Sequence, residues 1–153
     1  MTDSTNPILF FHPDAYDASR EDLKGRHSAG ESLLTAYLEQ AEGPEVHALC
    51  RADAHFDEFA KAVKESGRPL TPRRVLRQDS KALRERALLH LPIPEIGNEA
   101  RVRAFLGADL YAICGLTHTI SSRTVLDAVA DLCVAPVEEL CGRLGDEVDQ
   151  AAW

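Results

Sequence analysis

Residues 109–122 read DLYAICGLTHTISS. An apolar run, Leu110 to Cys114, stops at Gly115; a polar loop follows with Thr117, His118 and Thr119, and Ser121 and Ser122 then open a helix. A short apolar run bounded by turn signals predicts a strand buried on both faces, and the serine pair supplies an N-cap. In open α/β sheets ligands collect just past the carboxyl ends of strands. His118, flanked by the hydroxyls of Thr117, Thr119 and Ser121, occupies that position and is the first candidate site residue. The competing reading is a loop histidine that only caps or packs.

Working outward, Val125, Leu126, Val129, Ala130 and Leu132 recur at helical spacing until Pro136 breaks the pattern, and Val137 to Val148 can form one more amphipathic helix. Toward the N-terminus, strand candidates are Ile8–Phe11, Val46–Cys50, Arg74–Leu76 and Ala87–Leu91. Between them lie helical patterns. Ser28 and Glu31 fit the capping box S-x-x-E ahead of Leu33, Leu34, Tyr37 and Leu38. Asp53 is the expected cap of a helix with apolar positions Phe56, Phe59, Ala60 and Val63, Ser80–Arg86 reads as a helical turn, and Asn98 is the expected cap of a helix through Val102, Phe105 and Leu106. Strands alternating with helices predict a parallel sheet, because parallel neighbours need a crossover connection. The expectation is an α/β, Rossmann-like single domain over residues 8–135, with a loose tail at 1–7 and a polar C-terminal helix or tail at 136–153. The polar stretch Asp14–Gly25 is too long for a tight turn and is a candidate functional loop.

A chain of 153 residues can bury one sizeable core. Its net charge of −8 argues against a nucleic-acid partner, which requires a basic face. The local exception runs from Arg68 to Arg86 and includes Arg73, Arg74 and Arg77; it reads most simply as a solvated face. The four cysteines, Cys50, Cys114, Cys133 and Cys141, lack the spacing of a zinc site or redox pair, and no metal is expected. Cys50 and Cys114 are expected to be buried in strands. No basic-then-apolar leader opens the sequence and no apolar run approaches membrane-spanning length, so the expectation is a cytoplasmic protein with reduced thiols.

Two catalytic motifs fail on chemistry, and a phospho-receiver is a third reading. Gly25-Arg26-His27-Ser28-Ala29-Gly30-Glu31-Ser32 has the frame of a P-loop, but Glu31 stands where a lysine must reach the phosphates; backbone amides at this helix start can still face a polar ligand. A phospho-receiver would need Asp79 as its acceptor and acids clustered after the first strand, where only Asp14 is present. Neither Ser121 nor Ser122 sits on a G-x-S-x-G elbow.

The strings Gly25-Arg26 and Ala29-Gly30-Glu31-Ser32-Leu33-Leu34, the α/β pattern, and Gly115-Leu116-Thr117-His118-Thr119-Ile120-Ser121-Ser122 together resemble the N-terminal half of a GT-B glycosyltransferase, similar to bacterial members that group with family 4. The resemblance covers roughly Ile8 to Pro136. It implies a retaining, nucleotide-sugar-dependent enzyme whose N-terminal domain holds a sugar or glycan acceptor. It places Gly25–Gly30, with Ser28 and Glu31, near the donor phosphates, and His118 against the transferred sugar near the reacting centre. A neutral imidazole can hydrogen-bond a sugar hydroxyl there, with Thr117, Thr119 and Ser121 adding hydroxyl contacts.

The family also has a second Rossmann-like domain that binds the nucleotide sugar and carries an acidic motif, and the sequence instead turns polar and acidic beyond Pro136. The expectation is therefore an acceptor-side half with no cofactor of its own, inactive alone, that pairs with a second domain or self-associates through an exposed docking face. The alternative is a non-enzymatic Rossmann-like binding or interaction module. An exposed apolar surface favours the first reading and its absence the second.

Overall fold

The computed structural model describes residues 6–16, 25–117 and 122–136. Five strands, β1 (Ile8–Phe10), β2 (Glu45–Leu49), β3 (Thr71–Val75), β4 (Leu88–Leu91) and β5 (Ala112–Gly115), form one parallel sheet in the order β3-β2-β1-β4-β5. Five α-helices among the described residues connect or follow them: α1 (Gly25–Glu39), α2 (Asp53–Glu65), α3 (Ser80–Arg86), α4 (Ile96–Leu106) and α5 (Arg123–Asp131). The arrangement is the α/β, Rossmann-like single domain that the alternation of elements predicts.

Side chains on a strand alternate between faces, and β1 divides accordingly. Leu9 and Phe11 enter a core with Tyr37, Leu38, Phe59 and Val63 from α1 and α2. Ile8 and Phe10 enter a second core with Leu83, Leu89, Leu91, Leu110 and Tyr111 on the opposite face. Burial on both sides explains why the central strands read as continuous apolar runs. Tyr37 also ties the layers together. Its hydroxyl accepts the His47 amide at 3.0 Å and lies 2.9 Å from the Pro7 carbonyl and 3.1 Å from that of His47.

Several expectations change. Asn6 and Pro7 do not belong to a loose tail: the Asn6 side chain donates to the Glu42 and Glu45 carbonyls at 2.7 and 2.9 Å and accepts the Glu42 amide at 2.7 Å. The polar residues nearest three helix starts are not the caps. Ser28 lies inside α1, which is already helical at Gly25. The N-cap positions of α2 and α4 are Ala52 and Glu95, neither making a side-chain cap bond, so Asp53 and Asn98 are within their helices. Asp79 is the N-cap of α3, accepting the Ala82 amide at 3.0 Å, and it follows an edge strand, which removes the receiver reading.

The strand that opened the sequence reading is also shifted. Leu110 and Tyr111 are buried ahead of it, whereas β5 itself, at the sheet edge, is partly exposed and Cys114 is exposed. An edge strand has a neighbour on one side only, and a local apolar run cannot reveal strand order. Ser122 does cap α5, accepting the Val125 amide at 3.3 Å. No helix among the described residues is long and apolar enough to cross a membrane.

Candidate functional site

The chain leaves β1 toward β2 on one side and leaves β4 toward β5 on the other, so the neighbours β1 and β4 flank a topological switch point. The connections diverge there and leave a crevice beyond the carboxyl ends. The structure has one at this place, of about 260 Å³, floored by Phe10 and Leu91 from the two strand ends. Its size is slightly below the roughly 300–1,000 Å³ usual for small-molecule sites and suits a compact ligand. Its polar wall is His12 and Asp14 after β1, Arg51 after β2, and Glu95, Asn98 and Glu99 from the start of α4. The helix brings its positive dipole end to the same wall.

Local structure fixes these groups. His12 starts a single 3-10 turn over Pro13–Ala15, with its Nδ1 accepting the Asp14 amide at 3.3 Å. An Nδ1 that accepts leaves the ring proton on Nε2. The His55 ring meets the His12 ring edge-on, centroids 4.4 Å apart. The Arg51 guanidinium lies over the Phe10 ring, 5.4 Å from its centroid, a cation–π placement. Glu99 is 3% exposed; its Oε1 accepts from Arg77 and its Oε2 has no hydrogen-bond partner among the described residues. A buried carboxylate is tolerable only beside a counter-charge, so Arg77 is structurally required there.

A second crevice, of about 620 Å³, opens beyond β2 and β3 and shares Arg51, Asn98 and Glu99 with the first. It adds Arg74, Arg77 and Gln78 as polar groups. The basic stretch is therefore a solvated face only in part: Arg73, Lys81 and Arg84 are exposed, whereas Arg74 and Arg77 are half-buried in the crevice lining. Arg68 donates to the Leu38, Glu39 and Ala41 carbonyls at the end of α1, Arg73 pairs with Glu45 at 2.8 Å, Arg74 with Asp53 and Arg77 with Glu99. Cys50 lines the second crevice, and burial pushes its thiol up to about 11, so it stays protonated and is not a nucleophile.

The residues expected from sequence fare differently. Gly30 is buried in α1, where a Cβ would run into the Ala15 carbonyl; this close approach seats the helix against the turn after β1. Gly25–Glu31 is helix rather than a phosphate-cradling loop. Ser28 is exposed, and Glu31 lines a separate groove between α1 and α2, so neither joins the crevice wall. Thr117 is exposed just past β5. Gly115 at the end of β5 lies against Ile93 and Ile96, so this loop departs beside the crevice. His118, Thr119 and Ser121 lie outside the described residues.

The wall residues His12, Arg51, Glu95, Asn98 and Glu99 were missed as a site. The signal was present: His12 and Arg51 each follow an apolar strand run within two residues, where the strand-end rule looks for ligand contacts. Among the described residues no group of histidine, cysteine and acidic side chains could hold a metal ion. Comparison with family models, curated proteins and solved structures finds no match for this chain.

Proposed function

We propose that this chain is the acceptor-side half of a nucleotide-sugar-dependent glycosyltransferase, and that the crevice between β1 and β4 holds the acceptor sugar. The observation that carries the reading is the composition of that crevice. Its apolar floor is Phe10 and Leu91, and its rim carries acceptors on Asp14 and Glu95 and donors on Arg51 and Asn98. A sugar matches this set, because its ring presents apolar C–H faces and hydroxyls that both donate and accept.

In the proposed reaction an acceptor hydroxyl bonds to the anomeric carbon as the bond from that carbon to the nucleoside diphosphate breaks, and the departing diphosphate oxygen takes the hydroxyl's proton. A domain other than the one described supplies the nucleotide sugar. The resemblance around His118 assigns that imidazole to the transferred sugar. The amphipathic α5 also supports a docking role: Leu126 is 52% and Val129 42% exposed, and no described residue of α5 is buried. Apolar surface of this kind suits an interface with that domain or with a second copy.

The test is a titration of the 153-residue chain with mono- and disaccharides and, separately, with nucleotide sugars, following the amide resonances of His12–Ala15, Arg51 and Gly97–Glu99. Neutral sugars shift these resonances and nucleotide sugars alone do not add to them. Asn98→Ala, at an exposed position, weakens sugar binding by about tenfold without unfolding the chain. Sugar shifts confined to other surfaces, or sustained sugar transfer by these residues alone, would refute the assignment.

A further inference from the structure

The two carboxyl-edge crevices differ in charge. The one beyond β2 and β3 is lined by three arginines, Arg51, Arg74 and Arg77, against one carboxylate, Glu99. The one at the switch point is lined by Asp14, Glu95 and Glu99 against Arg51. They meet at a common wall of Arg51, Asn98 and Glu99. The basic end is notable in a chain of net charge −8.

We infer that the ligand of this double crevice is an anionic sugar, its hydroxyl-bearing ring over Phe10 and Leu91 and its compact anion, a phosphate ester or carboxylate, against Arg51, Arg74 and Arg77. The inference rests on the acceptor reading above and specifies its substrate class.

The arginines are in different states of commitment. Arg77 is held by the buried Glu99, yet a guanidinium has five N–H donors and this contact leaves others for a ligand. Arg74 pairs with Asp53, whose side chain is 90% exposed, and donates to the Cys50 carbonyl at 3.5 Å; its buried Nε has no partner among the described residues. An ion pair to so exposed a carboxylate holds weakly and yields to a better-placed anion. Arg51 makes no ion pair among the described residues; the Phe10 ring orients its planar fork at the junction of the two crevices. Such forks match carboxylate and phosphate oxygens bidentately. Leu49, Leu76 and Val102 form the apolar part of the same lining, which lowers the local dielectric and strengthens each contact. The Cys50 thiol, protonated as described, adds no opposing charge.

The experiment compares binding of a hexose, the same hexose as its 6-phosphate, the corresponding hexuronate and inorganic phosphate to the full chain, by calorimetry and amide shifts. The 6-phosphate or the hexuronate binds about tenfold or more tighter than the neutral hexose, and whichever does so identifies the anion. Arg74→Gln, which lines only the basic crevice, removes most of that advantage while leaving hexose affinity unchanged. Arg74→Lys restores its salt dependence but not its full size. Raising salt from about 0.05 to 0.5 M weakens only the charged ligands.

Equal affinity for the neutral and charged sugars, or an advantage that survives Arg74→Gln, overturns the inference and leaves the acceptor reading standing. Inorganic phosphate shifting Arg51 and Arg77 with no sugar contribution overturns the acceptor reading and the sugar part of the inference. No binding by any of the four overturns both.

Discussion

The middle of the sheet and its β5 edge are built by different physics. At β1 and β2, Ile8, Leu9, Val46 and Ala48 are fully buried, helices cover both faces, and the Asn6 and Tyr37 side chains satisfy backbone groups across layers. At the far edge, β5 is partly exposed and α5 buries none of its described residues. That region is held by polar pins: Arg101 pairs with Asp131 on α5, and the buried Arg103 donates to the Tyr111 and Pro136 carbonyls at 3.3 and 3.1 Å. A packed centre specifies geometry, whereas a pinned edge positions an element and leaves apolar surface for something else to cover. The crevice lies where the two regions meet, since β1 belongs to the centre and α4 carries the pins.

The strongest way to break this contrast is a matched pair of substitutions. Phe59→Ala, at a position with no exposure, costs about 3–5 kcal/mol of unfolding free energy by chemical denaturation. Leu126→Ser on α5 costs about 0.5 kcal/mol. Similar losses would show that the edge is packed as tightly as the centre.

Gly30→Ala sharpens the comparison within the centre. It drives a methyl into the Ala15 carbonyl and costs about 1–3 kcal/mol, and it should move the 3-10 turn that carries His12 and Asp14. Denaturation midpoints together with the amide shifts of Asp14 and Ala15 check both parts; an unshifted turn would mean that α1 does not seat it.

The smallest effect is pH-dependent. Burial lowers the proton affinity of His47, with Arg86 adding to it, and burial does the same to His90, both on central strands. The folded state then resists protons that the unfolded chain accepts below about pH 6.5. Their contribution is complete above that pH and is lost as pH falls toward the lowered folded values. Stability therefore falls between about pH 7.5 and 5.5. This window lies above that of Glu45 and Asp131, which Arg73 and Arg101 hold below the usual carboxylate range by hydrogen bonding. Urea midpoints from about pH 7.5 to 5.5 fall in the parent and fall less steeply in His47→Gln, which leaves only His90; a flat parent would refute the assignment.

Much of the architecture was legible because punctuation and hydrophobic period agree. Gly43, Gly67 and Gly107, all at positive φ, lie just past helices, and Ser80–Arg86 is helical over the range its sequence indicates. Pro72 is tolerated in β3 because that strand is an edge. The misread caps share one cause. Ser28, Asp53 and Asn98 are good cap residues, but these helices begin where the chain turns away from the sheet, at Ala52 and Glu95 in α2 and α4 and by Gly25 in α1. The half-buried part of the basic stretch was misread because the partners of Arg74 and Arg77, Asp53 and Glu99, come from two other elements.

By itself, the sequence determined the element types, their order and hence the parallel α/β class, because burial on both faces and crossover geometry act locally and leave a readable pattern. Strand order was decided only in three dimensions. That order put β4 beside β1, opened the crevice between them, and brought His12, Arg51, Asn98 and Glu99 to one wall. Convergence of distant side chains depends on which strands pair, and no residue spacing along the chain encodes it.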